Sequence, residues 1–176
     1  MIARNKKKLE ELQAALLSNN EKQILDAIGR LDEYPFPEII EPLLVLYAKK
    51  EEGLVKAHLY DVLTSMKISG LEEIFFKALG AKEFAHCRKE LIHFMWSSNV
   101  QPVEGWVSII ELAANGTYEE IIEVMSLLDN TEHELPEEEL LEAVSILKIA
   151  INENPEHETT AIKQVLLQDL NHRLNQ

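Results

Sequence analysis

PEIIEPLLVLYAKK (residues 37–50), LVKAHLYDVLTSMK (54–67) and KEFAHCRKELIHFMWS (82–97) decide the fold. The first is apolar at Ile39, Ile40, Leu43, Leu44, Leu46 and Tyr47, a broad stripe at helical spacing. Pro37 suits a first turn, where its missing N–H costs nothing. Pro42 is accommodated if the regular helix begins near Ile39, and otherwise it predicts a kink. Gly53 permits a reversal, after which Val55, Leu59, Val62 and Met66 share one face of the second stretch. Ser69 and Glu72 have capping-box spacing and open a shorter helix with Ile74, Phe75 and Leu79. Gly80 ends it, and the third stretch returns. Residues 35–101 therefore predict two helical hairpins in tandem.

The return helices align. Val55-Lys56 falls on Cys87-Arg88, Leu59 on Leu91, Val62 on Phe94 and Leu63 on Met95, a shift of 32 residues. A further shift of 31 puts Cys87 on Tyr118, Leu91 on Ile122 and Phe94 on Met125. Self-similarity at this period, with two helices per unit, marks an α-solenoid. The Val-Lys and Cys-Arg pairs, each followed by Leu at the fourth position, resemble the second helix of HEAT repeats over about residues 35–130. The pattern is degenerate, so armadillo-like and tetratricopeptide units stay open, although the Trp, Gly and Tyr positions of the latter do not recur. The resemblance implies an all-α, right-handed α-α superhelix whose second helices line a concave face.

On the N-terminal side, residues 5–18 form an amphipathic helix with Leu9, Leu12, Leu16 and Leu17 apolar. Asn20 caps the next helix with Gln23 as its partner, and Ile24, Leu25, Ile28 and Leu31 face inward. On the C-terminal side, Gln101-Pro102 starts a hairpin with Val103, Trp106, Val107 and Ile110 apolar, and Trp106 reads as core. Asn115-Gly116-Thr117 is a tight turn, and Thr117 with Glu120 makes another capping box. Pro136 opens a helix through Ile151 with Glu137, Glu138 and Glu139 in its first turn, where carboxylates favour the dipole. Asn154-Pro155 starts the last helix, with Ile162, Val165, Leu166 and Leu170 apolar. The total is ten helices in five antiparallel hairpins, read as one domain over residues 1–176.

A chain of 176 residues with 46% hydrophobic residues can bury a sizeable core without help. No segment alternates apolar and polar residues for long, so strands are not expected. The single cysteine, Cys87, excludes an intramolecular disulfide framework and points to a reducing, cytoplasmic compartment. The N-terminus lacks the pattern of a signal peptide, and no apolar run is long enough to span a membrane. The net charge of −14 is unevenly placed: residues 1–100 hold 15 acidic and 14 basic side chains, residues 101–176 hold 16 and three. The C-terminal part would repel a phosphate backbone, which argues against nucleic-acid binding. The cluster Arg4, Lys6, Lys7 and Lys8 reads as a solvated helix start.

No cofactor or catalytic signature is present: no Gly-rich phosphate loop, His-Glu-x-x-His, Cys-x-x-Cys or nucleophile elbow. The carboxylates lie on polar faces or in first turns, whereas a catalytic pair needs burial to shift its pKa. His86, Cys87 and His93 share one helix, but the histidines are seven apart and Cys87 points into the core stripe, so a metal site is not expected. The acidic stretches around His133 and His157 offer adventitious cation contacts and no dedicated site.

If the second helices line a concave face, their off-core stripe is Lys56, Tyr60 and Thr64, then Arg88, Ile92 and Trp96, then Glu119, Glu123 and Leu127. These residues are the candidate protein-binding surface, with Ile92 and Trp96 the two that could instead fill space between helices. Aromatics flanked by charge resemble an interaction hot spot. The leading expectation is a non-catalytic interaction module that binds a protein or peptide, basic to match the acidic half. The alternatives are a homo-oligomer built through that groove or through the apolar 39–47 face, and an enzyme such as the HEAT-like DNA glycosylases. The enzyme reading requires His58, His86 or His93 to converge with carboxylates.

Overall fold

A computed structural model describes residues 2–31, 37–66 and 70–175, with side chains from Lys6 onward. The described residues are all-helical, with ten α-helices and no strand. The chain forms two compact units, Met1–Cys87 and Arg88–Gln176.

The first unit holds α1 (Ile2–Leu16), α2 (Glu21–Ile28), α3 (Ile40–Lys49), α4 (Leu54–Ser65) and α5 (Glu72–Gly80). A 3-10 turn, Pro37–Ile39, leads into α3 and leaves Pro42 in that helix's first turn, so no kink is required. Asn20 caps α2 by accepting from the N–H groups of Lys22 and Gln23 at 3.0 and 3.4 Å. Gln23 does not return to Asn20 directly: its amide oxygen takes the Ser18 hydroxyl at 2.6 Å, and that hydroxyl oxygen accepts the Asn20 N–H at 3.1 Å. α1 packs on α2 and α3, α2 on α4, and α3 on α4 and α5. The shared core includes Leu12, Leu16, Ile24, Leu43, Leu44, Leu59 and Phe75, all nearly inaccessible. Each such side chain contributes about 1.5–3 kcal/mol of transfer free energy. Leu17 departs from the expected face: it is 79% exposed, because the core stripe of α1 runs through Leu12 and Leu16 and Leu17 lies one step, about 100°, around the helix. The Ser69 cap and the Lys67 helix end fall outside the described residues.

Residues 82–97 are not one regular helix. Lys82–Cys87 winds as a 3-10 helix, held to the end of α3 by His86 Nε2 against the Ala48 carbonyl at 3.0 Å.

The second unit holds α6 (Arg88–Ser97), α7 (Trp106–Asn115), α8 (Tyr118–Asp129), α9 (Glu137–Glu153) and α10 (Thr160–Leu174). α6 ends on Asn99, left-handed at φ 58°, with Val100 N–H bonded to the Met95 carbonyl at 2.8 Å. This is a Schellman-type stop with Asn in the place usually taken by Gly. The Gln101-Pro102 stretch does not open a helix. α7 begins at Trp106, Val103 is 63% exposed, and the buried Trp106 indole donates to the Pro102 carbonyl at 3.0 Å. Likewise α10 begins at Thr160, five residues after Pro155, and Val165 is exposed while Leu166 and Leu170 are buried. Thr117 and Glu120 form the expected reciprocal capping box on α8. α6 packs on α8, α7 on α8 and α9, α8 on α10, and α9 on α10.

Candidate functional site

The expected surface residues lie on α4 in the first unit and on α6 and α8 in the second. On α4, Tyr60 is exposed and Lys56 is half-buried, bridging to Glu52 at 3.3 Å with its ammonium 5.1 Å from the Tyr47 ring centroid. The Thr64 hydroxyl is turned back onto the Tyr60 and Asp61 carbonyls at 2.9 and 3.0 Å. This part of the stripe is locally engaged and mostly polar.

In the second unit the stripe is corrected by one step. Ile92 is 1% exposed and Leu127 is fully buried, so neither belongs to a surface. For Leu127 the reason is register. The buried positions of α8 are Ile121, Val124, Leu127 and Leu128, whereas Tyr118 is 51% and Ile122 40% exposed. Leu91 and Phe94 therefore correspond to Ile121 and Val124, a shift of 30 rather than 31. One residue of slip rotates a helical face by about 100°, which turns Tyr118 and Ile122 outward.

Two side chains from α6 and one from α8 do converge. Glu123 Oε2 accepts the Trp96 indole N–H at 2.7 Å and lies 3.1 Å from His93 Nδ1. The His93 and Trp96 rings meet edge to face, with centroids 4.7 Å apart. Glu123 and His93 are both largely covered, so the pair is shielded from solvent more than a surface ion pair. Trp96 is thus half-buried and held in one orientation by a carboxylate from the neighbouring helix. Arg88, also half-buried, has a buried Nε that meets no acceptor among the described residues. Glu119 stands exposed one turn from Glu123.

Of the three histidines relevant to an enzyme site, His93 alone meets a carboxylate among the described residues. His58 Nδ1 sits 2.9 Å from the Leu54 carbonyl, and His86 holds Ala48. His133 Nε2 lies 2.8 Å from the Pro102 carbonyl, which fastens the α8–α9 connection to the segment before α7. Cys87 is buried and its thiol donates to the Phe84 carbonyl. Among the described residues, no three His, Cys, Asp or Glu side chains gather closely enough to hold a metal ion. Among the same residues, no helix is long and apolar enough to cross a membrane.

The electrostatic character of the second unit is set by what its acids do. Glu139, expected to serve its own helix, instead accepts the Gly105 and Trp106 N–H groups at 3.2 and 2.6 Å and caps α7. Asp129 and Asp169 pair with Arg173. Eleven of the sixteen acids in residues 101–176 are exposed glutamates outside any ion pair among the described residues. Of the three bases there, Lys163 is buried and Arg173 is engaged by those two aspartates, so the field is almost unopposed.

No protein-family profile matches the chain, and neither a curated protein nor a solved structure is significantly similar to it.

Proposed function

We propose that the protein is a non-catalytic, HEAT-like interaction module that receives a basic protein or peptide on the α6–α8 face of its second unit. The packing within each unit supports the solenoid part of this reading. Helices rest on their hairpin mates and on the helix two along, as successive hairpins in a stack do.

One observation carries the binding part. Tyr118 and Ile122 stand exposed one turn apart on α8, beside Glu119, while Glu123 holds Trp96 of α6 to the same helix. An aromatic and an aliphatic anchor rimmed by carboxylates suit a partner with apolar side chains among lysines or arginines. The surrounding glutamates would accelerate its encounter and make the rate fall with salt.

The test is affinity capture from a source lysate with wild type and Tyr118→Ala/Ile122→Glu as parallel baits. A basic protein retained by the wild type, released by salt and missed by the variant is the expected result. Identical captures by both baits would remove this face from the reading.

A second copy is the other reading that an observation favours. Leu141 and Ile149 are exposed two turns apart on α9. On the 39–47 face, Ile39, Ile40, Leu43, Leu44 and Tyr47 are buried and Leu46 is half-exposed, which favours α9 over it for self-contact. Sedimentation velocity of wild type against Leu141→Glu/Ile149→Glu separates self-association from the first reading.

A further inference from the structure

A groove of about 620 Å³ lies in the first unit, between the end of α1 and the outer side of α3. Small-molecule sites fall in the range of roughly 300–1,000 Å³. Its apolar lining is Leu16, Leu17, Pro42, Val45 and Leu46. Leu17, 79% exposed, is the most accessible of these side chains. Every one of these side chains is aliphatic. With no aromatic ring in the lining to stack on, the groove favours a flexible hydrocarbon over a planar ligand.

The charged groups divide by position. Glu41 marks one end, and its carboxylate is already neutralised by Lys77 Nζ at 2.6 Å. Lys49 and Lys50 line the other end, eight residues or about 12 Å further along the α3 axis. No ion pair among the described residues engages either of them. Both complement the C-terminal dipole of α3, and that role leaves their ammonium protons able to meet an anion.

The number of cations decides the source of the anion. Two lysines fall short of the clusters of about four to eight that hold an anionic bilayer, and they match one carboxylate head. A single carboxylate that has reached the groove is governed by the two lysines beside it. We propose that this groove binds one free long-chain aliphatic carboxylate, with its tail along Val45, Leu46 and Pro42 beneath Leu17 and its head on Lys49 and Lys50. This site is separate from the α6–α8 face and does not depend on that reading.

The experiment is calorimetric titration of the full chain with monomeric dodecanoate, in salt of about 0.15 M. The expected result is one saturable site with a negative heat-capacity change. Val45→Glu, which puts a carboxylate in the lining at a half-exposed position, abolishes it. Lys49→Gln/Lys50→Gln, at surface positions that leave the fold intact, weakens it about tenfold. Dodecyltrimethylammonium, with a similar tail and a cationic head, binds at least about tenfold more weakly than dodecanoate. The proposal is overturned by absence of a saturable site, by several weak sites that persist in Val45→Glu, or by equal binding of the cationic amphiphile. It is equally overturned if phosphatidylglycerol vesicles or a Glu-rich amphipathic peptide bind while dodecanoate does not.

Discussion

The Trp96 indole N–H and the His93 imidazole share one oxygen of Glu123, at 2.7 and 3.1 Å, which ties α6 to α8. The contact also fixes register, since residue 93 faces residue 123. Removing the carboxylate leaves a half-buried indole N–H without its acceptor, a loss of about 1–3 kcal/mol. Glu123→Ala is therefore expected to lower the urea midpoint with an unchanged slope, and Trp96→Phe, which removes the donor together with part of the ring packed on His93, costs at least about 1 kcal/mol. Non-additivity of roughly 0.5–1.5 kcal/mol in the double variant is the signature of a direct bond. Additive costs would mean that each side chain acts through its own packing.

The same register explains what the sequence disclosed and what it hid. The helical stripe of α3, the Val55 and Leu59 face of α4 (where Leu63 rather than Val62 completes the core), the caps at Asn20 and Thr117 and the core role of Trp106 are short-range patterns, legible because each depends on neighbours within one or two turns. The start of α7 was not legible. Its decisive partner is Glu139, more than thirty residues away, and a proline at 102 looks like a helix opening when only local spacing is considered. The α8 face was hidden for a subtler reason. Met125, Ile122 and Tyr118 are as apolar as Ile121, Val124 and Leu128, so two helical faces compete, and packing against α6, α7 and α10 selects between them. That choice made Tyr118 and Ile122 surface residues and placed Leu127 inside.

Glu139 carries the next prediction. Its carboxylate satisfies two otherwise orphaned N–H groups at the start of α7, on a glycine held left-handed at φ 88°. Glu139→Ala is expected to cost about 1–2 kcal/mol, in the range of lost N-caps with an added dipole contribution. Glu138→Ala, one position away and exposed, should stay within about 0.5 kcal/mol of wild type. Equal effects at the two positions in thermal unfolding would rule out a specific cap.

Gly116 is required by space rather than by backbone angle. Its φ is an ordinary −88°, but a Cβ there would stand 2.7 Å from the Leu112 carbonyl oxygen and 2.8 Å from Glu120 Oε2. The glutamate could swing away only by giving up its bond to Thr117, and the carbonyl belongs to α7 itself. Gly116→Ala should therefore destabilise by about 1–3 kcal/mol, as overpacking does, instead of giving the small gain usual for this substitution in a permissive turn. Adding Glu120→Gln should relieve little of the loss, since the backbone contact remains. A chemical-denaturation series on the single and double variants reads this directly.

Lys163 is 6% exposed on α10, and no carboxylate pairs with it among the described residues. Burial disfavours the ammonium and lowers its pKa from the usual 10.5. Below the lowered value both the folded and unfolded chains carry the proton, and the full cost of burying the charge opposes folding. Between that value and 10.5 the unfolded chain binds more protons than the folded one, so stability rises with pH; above 10.5 the cost has vanished. Lys163→Met is accordingly expected to stabilise the protein at pH 7 by about 1–2 kcal/mol, as replacement of buried charges by apolar side chains commonly does. The advantage should shrink as the pH is raised towards 10.5, because the wild type gains what the variant already has. Urea unfolding of both proteins at pH 7 and pH 10 measures the difference, and a gap independent of pH would show that the gain comes from packing of the methionine and not from removal of the charge.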